Sequence, residues 1–336
     1  MPGSALIGLI VTLLKNILLN PAEPKYKQIN TENPHIKEIL TDPDSAILLN
    51  SIGFHLDVVY YRYDNTFSRD QLVELFIFFY NTENAIKYIH GRLETKGKRD
   101  SMEDATSIEE LLNFTLFSIY DGHSGKSVAD YCVKHFKQIL ERCFNTESGI
   151  HEAIKIAYKI LDKQLMADMI QGGSTALSCI LIPLEKGTIV ITSNVGDSRA
   201  VLYTNGITTR LSFDHKPSVD SEWRRILDAG GFVTDYGIPR LNGCLSVSRA
   251  LGDFDVDAKK QILSSEPHIN ISIAGKGFLI MACDGLWDVI SDLDATAFVR
   301  SELEKGKEVE DIAKHITDRA IKLGSGDNIS VIIVLL

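Results

Sequence analysis

The sequence has no CxxC pair, no internal repeat, no low-complexity tract and no excess of basic charge. Its five cysteines, Cys132, Cys143, Cys179, Cys244 and Cys283, are odd in number and sit mostly in apolar stretches, which reads as buried free thiols in a reducing compartment and argues against a zinc site. The one candidate targeting segment, ALIGLIVTLL from Ala5 to Leu14, falls short of the roughly 18 apolar residues expected of a membrane span. No basic leader precedes it, so it reads as a buried amphipathic helix and not as a signal peptide. The expected location is therefore the cytoplasm, the nucleus or both. With 35 Lys and Arg against 45 Asp and Glu, the formal charge is -10, which argues against nucleic acid or an anionic membrane as the main partner. An acidic chain is instead suited to holding metal cations.

What is present divides in two. At 336 residues the chain is long enough for two cores, and its character changes near Glu83. Residues 1–85 read as a small, mainly helical domain. Ile7, Ile10, Leu13, Leu14, Ile17 and Leu18 recur at helical spacing up to a stop at Asn20-Pro21. Two short helices follow, broken at Asp42-Pro43 and closed by Gly53; a strand over Val58 to Tyr63 and a helix over Asp70 to Tyr80 complete the unit. Residues 86–336 carry strand runs such as LFSIY, STALSCILI, TIVITSNV, FLIMAC and SVIIVLL, rich in β-branched and aromatic residues. Between them the helical stretches come in pairs, one starting KSVADYCVKHF and HEAIKIAYKIL, the other DATAFVRSELEKG and EVEDIAKHITD. That order favours an α+β fold, an antiparallel β-sandwich flanked by helices, over a doubly wound parallel sheet.

Two apolar runs end alike. LFSIY leads into Asp121-Gly122, and FLIMAC into Asp284-Gly285. Asp-Gly after one strand is ordinarily a turn, but two of them, with Asp327 just ahead of SVIIVLL, form a pattern. In an antiparallel sheet the start of one strand lies beside the end of its neighbour, so the three aspartates can meet at one rim. Glu103 and Asp104 precede another stretch, and Asp197 lies at a strand-to-strand turn. So many carboxylates share a site only around cations. Oxygen ligands with no Cys or His cluster point to two magnesium or manganese ions. Such a pair, about 4 Å apart, activates water for in-line attack on phosphorus. His123 is by itself ordinarily a helix-start residue, but it lies directly after the first corner, where an imidazole could donate a proton to a leaving alkoxide. A nuclease or nucleotide hydrolase would call for a basic groove or a phosphate-cradling glycine loop, and neither is found.

In order, GKRDSMEDA, YDGHSG, GSTA, NVGDSRAVL, LSVSRALGD, ACDGLWDV and GDNISVIIV resemble the motif series of the metal-dependent protein phosphatases, the PPM or type 2C family. The resemblance implies removal of phosphate from phosphoserine and phosphothreonine in protein substrates at a two-metal centre. It implies that Asp121 bridges the ions, with the Gly122 carbonyl on one and Asp284 and Asp327 on the other. Glu103 and Asp104 would hold metal-bound waters, Arg99 the substrate phosphate, and Asp197 and Asp288 a third, weaker ion. His123 resembles the general acid. Arg240 to Leu245 and Ser248 to Asp253 fall where the family has its flap and substrate-facing loop. Two positions depart from the pattern, Thr106 where a histidine is usual and Ser124 inside a glycine pair. Loss of metal aspartates would mark a non-enzymatic adaptor, and none is lost. Residues 1–85 resemble a PUB domain through Asn20-Pro21, Lys25-Tyr26 and Gly53-Phe54. That resemblance implies that Asn20, Lys25, Tyr26, Gly53 and Phe54 grip the C-terminal tail of a Cdc48-type AAA ATPase.

Overall fold

The computed structural model describes residues 4–40, 43–57, 60–63, 71–72, 76, 87–111, 114–146, 149–184, 187–234, 237–257 and 262–336. The chain forms two compact units, one of Met1–Ala85 with Leu184–Lys186, the other of Ile86–Pro183 with Gly187–Leu336.

In the first unit the helix Ser4–Leu19 buries Leu6, Ile10, Leu13, Leu14, Ile17 and Leu18, a stripe set by the 3.6-residue period. It stops at Asn20, ahead of Pro21. The segment after it is a 3-10 turn, Pro24–Lys27, and then a short strand, Gln28–Asn30. The helix Pro34–Ile39 is capped by the Asn33 side chain, which accepts from His35 N and Ile36 N. The helix Pro43–Ser51 ends at Gly53, whose φ of 85° suits glycine. The strand Gln28–Asn30 and the strand Phe54–Asp57 both pair antiparallel with Tyr60–Tyr63. Gln71, Leu72 and Phe76 are helical. Val58 and Val59 of the expected strand, and the rest of the helix expected over Asp70 to Tyr80, lie outside the described residues.

The second unit is a sandwich of two five-stranded sheets. One sheet runs His268–Ala274, Gly187–Val195, Ala176–Leu184, Phe114–Tyr120, Ala105–Leu111; the other runs Ile207–Arg210, Arg199–Thr204, Gly277–Ala282, Ile329–Leu335, His90–Thr95. Phe117, Ile119, Leu177, Cys179 and Val190 from the first meet Ala200, Leu202, Leu279, Met281, Ile332 and Val334 from the second in one core. The outer face of the second sheet is covered by the helices Asp292–Glu304 and Val309–Lys322 through Ala295, Val299, Ile312 and Ile316. The helices Ser127–Thr146 and Ile150–Ala167 pack on each other, with Phe136 edge-on to Tyr158 at 5.1 Å. Tyr158 reaches the first sheet, its hydroxyl 3.2 Å from Ser193 O. Central strands covered on both faces have no solvent side, which is why they read as unbroken apolar runs and not as alternation.

Three features depart from the sequence expectation. The strands His90–Thr95 and Ala105–Leu111 were not anticipated as such; each lies at the edge of its sheet, where charged residues such as Glu94, Glu109 and Glu110 blunt edge pairing and mask the strand signal. The helix Asp220–Asp228 buries only Glu222 and Ile226, too little for an apolar stripe. Cys244 is exposed while the other four thiols are buried. It follows Asn242 and Gly243, both at positive φ, in a turn that carries it outward.

Replacing Tyr158 by Phe removes the buried hydroxyl that spans helix pair and sheet. The expected cost is about 1–2 kcal/mol, read as a fall in Tm of about 2–8 °C by calorimetry.

Candidate metal centre

Backbone pairing builds the site before any side chain enters it. Ala105 pairs with Tyr120, so Asp104 and Asp121 are neighbours across two strand ends. Ala282 pairs with Val331, which sets Asp284 beside the turn carrying Asp327. Asp197 follows Gly196, whose φ is 93°, between the strands Gly187–Val195 and Arg199–Thr204. The carboxylates therefore arrive from both sheets at one end of the sandwich.

Oxygens of Asp121, Asp197 and Asp284 all lie within 4.8 Å of one another, and so do ligand atoms of Asp104, Asp121 and Cys283. Asp121 is common to both groups. Burial, and then the charges of Asp104, Asp284 and Asp197, push the Asp121 carboxyl well above the usual carboxylate range. Burial followed by Asp197, Asp288 and Asp327 does the same to Asp284. Asp104 is raised to about 6, chiefly by burial, against hydrogen bonds from Ser330 and Cys283 that favour its charged form. Asp197 is raised by burial although Lys216 opposes the shift. Like charges this close are tolerated only if protonated or neutralised. Hard divalent cations fit the set, because its carboxylate oxygens and backbone carbonyls are the ligands magnesium and manganese take.

The remaining predicted residues form a border around these four. Asp327 Oδ2 accepts from Arg99 Nη2 at 2.7 Å, and its Oδ1 accepts from Asn328 N. Glu103 accepts from Ser101 Oγ and Gly125 N. Gly122 passes so close to the Glu103 carbonyl that a Cβ would overlap it, so no other residue suits that corner. Asp288 is exposed and shares Lys216 with Asp197, at 3.4 and 3.2 Å. Burial alone would lower the Lys216 ammonium, but Asp197 and Asp288 outweigh it and hold it well above its usual value. His123 turns its Nε2 to Asp253.

Several residues here were not singled out for the site by the sequence. Cys283 Sγ accepts from Ser330 N and donates to Asn328 O. Asn328 ties three segments together, accepting from Glu103 N and donating to Lys96 O and Ser101 O. Its place next to Asp327 was the one available hint. Lys216 stands in no pattern that would have singled it out. Of the two departures, Thr106 donates to Glu94 through both N and Oγ1. Ser124 takes a φ of 58°, a conformation glycine would adopt without strain.

In the first unit, Lys25 is exposed with its ammonium 4.8 Å over the half-buried Tyr26 ring. Asn20 is half-buried beside them in sequence. Phe54 is fully buried against Tyr63 at 5.4 Å, and Gly53 is a buried turn residue. Those two can shape a docking surface but do not form it.

Residues 90–329 match the family model "Protein phosphatase 2C", and residues 4–85 the model "PUB domain". Bovine "Protein phosphatase 1B" is 35% identical over 286 residues, 75% of this chain and 57% of the relative's length. "Probable protein phosphatase 2C 39" of Arabidopsis thaliana is 39% identical over 227 residues, 65% of this chain and 74% of that protein. The solved structure described as a phosphatase from a pathogenic strain of Toxoplasma gondii superposes with a TM-score of 0.67 at 26% identity, covering 72% of this chain and 91% of that one. The chain thus spans little more than half the length of the bovine relative. Matching more than half its own length to the family model and carrying the acidic set at the rim of the sandwich, the chain belongs to the protein phosphatase 2C family.

Proposed function

We propose that this chain hydrolyses phosphoserine and phosphothreonine in proteins at a centre holding two Mn2+ or Mg2+ ions, with a third, weaker ion toward Asp197 and Asp288. The observation that carries this reading is the crowding of Asp104, Asp121, Asp197 and Asp284 at one rim, a charge arrangement with no purpose unless cations enter it. Bound there, the ions would supply positive charge and an acidified water for in-line attack on phosphorus. The other tasks fall to the chain. Arg99, more than half exposed at the rim, offers a planar guanidinium that matches two phosphate oxygens. His123 holds the proton for the departing serine or threonine oxygen. Asp327 and Glu103 complete the acidic border. The adaptor alternative loses ground because every acid of the motif series is kept. The protein would work in the cytoplasm, the nucleus or both, where the four buried thiols stay reduced.

We further propose that residues 4–85 dock on the C-terminal tail of a Cdc48-type AAA ATPase through Lys25, Tyr26 and Asn20, with the buried Phe54 and Gly53 shaping the fold that presents them. An exposed lysine against an aromatic ring suits a tail bearing aromatic and acidic groups.

Purified protein with manganese should release phosphate from phosphoserine and phosphothreonine peptides and spare phosphotyrosine and nucleotides. Asp121→Ala should lower kcat by about 10³-fold or more, as expected when a charge-stabilising centre is dismantled. Manganese should also raise the wild-type Tm by binding the native state alone, and should leave that of Asp121→Ala unmoved in a thermal-shift assay. Wild-type protein inactive on every phosphopeptide would sink the reading. For the first unit, Tyr26→Ala should weaken binding of the ATPase tail peptide by about tenfold or more, as for an interface anchor, in calorimetric titration. Phe54→Ala should instead destabilise the unit by about 3–5 kcal/mol, the cost of a core cavity.

A further inference from the structure

The metal reading leaves one contact near the site unexplained. His123 lies on the two-residue strand Gly122–His123, which pairs with Gly173–Ser174, and that in turn pairs with Leu251–Gly252. This small sheet delivers Asp253 to the imidazole: His123 Nε2 lies 2.9 Å from Asp253 Oδ1 and 2.8 Å from Oδ2. Asp253 is 3% exposed, so its carboxylate serves the interior and not solvent.

The backbone is bent to make the contact. Asp253 has a φ of 54°, a left-handed conformation uncommon for a non-glycine residue unless its surroundings enforce it. They do: Asp253 N donates to Gly172 O at 2.8 Å, and Asp253 O accepts from Val256 N and Asp257 N. Gly252 N donates to the buried Asp162. Room for the pair comes from Gly173, where a Cβ would overlap both Asp253 Oδ2 and His123 Nε2. Four independent features, namely burial, strain, a bifurcated contact and a missing side chain, serve one imidazole–carboxylate pair.

We infer that Asp253 is a positioning residue for the hydrolysis, fixing the His123 ring through Nε2 so that Nδ1 is the nitrogen left to protonate the leaving oxygen; this rests on the phosphatase reading above. The Nε2–H donates to the carboxylate, which settles the ring's orientation and which nitrogen carries the transferable proton, the part a buried carboxylate plays beside a catalytic imidazole elsewhere. In the step itself water's oxygen bonds to phosphorus, its two protons leaving with the phosphate formed until one returns to the imidazole, and the P–O bond to serine or threonine breaks with its electron pair staying on that oxygen. The proton from Nδ1 then yields the free hydroxyl. Asp253 takes no proton and does not touch substrate.

The leaving group supplies the test. An alkyl oxygen needs that proton, whereas the oxygen of p-nitrophenyl phosphate departs as a stable phenolate. Asp253→Asn keeps the shape and tolerates positive φ, but replaces a carboxylate oxygen by an amide and weakens the hold on the ring. Its kcat on a phosphothreonine peptide should fall about 10²-fold, the lower bound for general acid catalysis, with KM changed by less than about twofold. Its loss on p-nitrophenyl phosphate should be at least about ten times smaller, since no acid is required there. The double variant with His123→Ala should be no worse on the peptide than His123→Ala alone, because the two residues act as a unit. Gly173→Ala, which drives a methyl group between the pair, should reproduce the same leaving-group bias and serves if Asp253→Asn folds poorly. Equal losses on both substrates, additive losses in the double variant, or an unchanged peptide rate would each overturn the inference. A wild-type chain silent on both substrates would instead overturn the phosphatase reading.

Discussion

Mutual repulsion of carboxylates governs this molecule. Asp104, Asp121, Asp197 and Asp284 are held at distances that water would not permit for long and that burial makes worse. They stay together because each is fastened to a strand end, and the strands are fixed by two sheets sharing one core. Only a rigid support can keep like charges in contact when they would separate by small rotations. The continuous apolar character of the strands and the polarity of the rim are thus one design: the core supplies the stiffness that the rim spends.

Around that rim three polar clusters hold the segments in place. Asn328 and Ser330 clasp the loop carrying Glu103 and Asp104 to the strand start that follows Asp327. Arg199 spans Asp214 and Asp292, with contacts of 2.5 and 2.7 Å, and so links the Arg199–Thr204 strand to the start of the helix Asp292–Glu304. A third cluster reaches the loop that ends at Asp253. Burial alone would raise the Glu222 carboxyl, but hydrogen bonds from Arg249, Arg225 and Ser248 outweigh it and hold it down to about 2. Glu222 therefore stays ionised and pins Ser248 and Arg249 to the helix Asp220–Asp228. The loop that supplies Asp253 to His123 is anchored by a salt bridge several residues away, which connects the strength of that buried ion pair to the geometry of the imidazole.

The first unit follows a different rule. Its strongest sequence feature, the apolar stripe of Ser4–Leu19, is buried in its own core, whereas the exposed Lys25 holds its ammonium over the ring of the half-buried Tyr26. A residue pair singled out together by the sequence, Gly53-Phe54, divides by burial from Lys25-Tyr26. Hydrophobic aromatic residues look alike in a sequence whether they fill a core or an interface.

The sequence by itself determined the class of fold, the carboxylates and their convergence, because strand runs covered on both faces and Asp-Gly corners are local patterns with few alternatives. It placed Asp121, Asp284 and Asp327 at strand ends, and antiparallel pairing then left them little choice of neighbour. Edge strands such as His90–Thr95 escaped it, since solvent on one side dilutes their pattern. Tertiary structure alone decided that Lys216 shares its charge between Asp197 and Asp288, that Asn328 ties the Glu103 loop, and that Asp253, 130 positions from His123 in sequence, meets its ring. Those contacts join residues whose separation along the chain carries no period or motif. Only the closing of two sheets over one core brings such residues within hydrogen-bond reach.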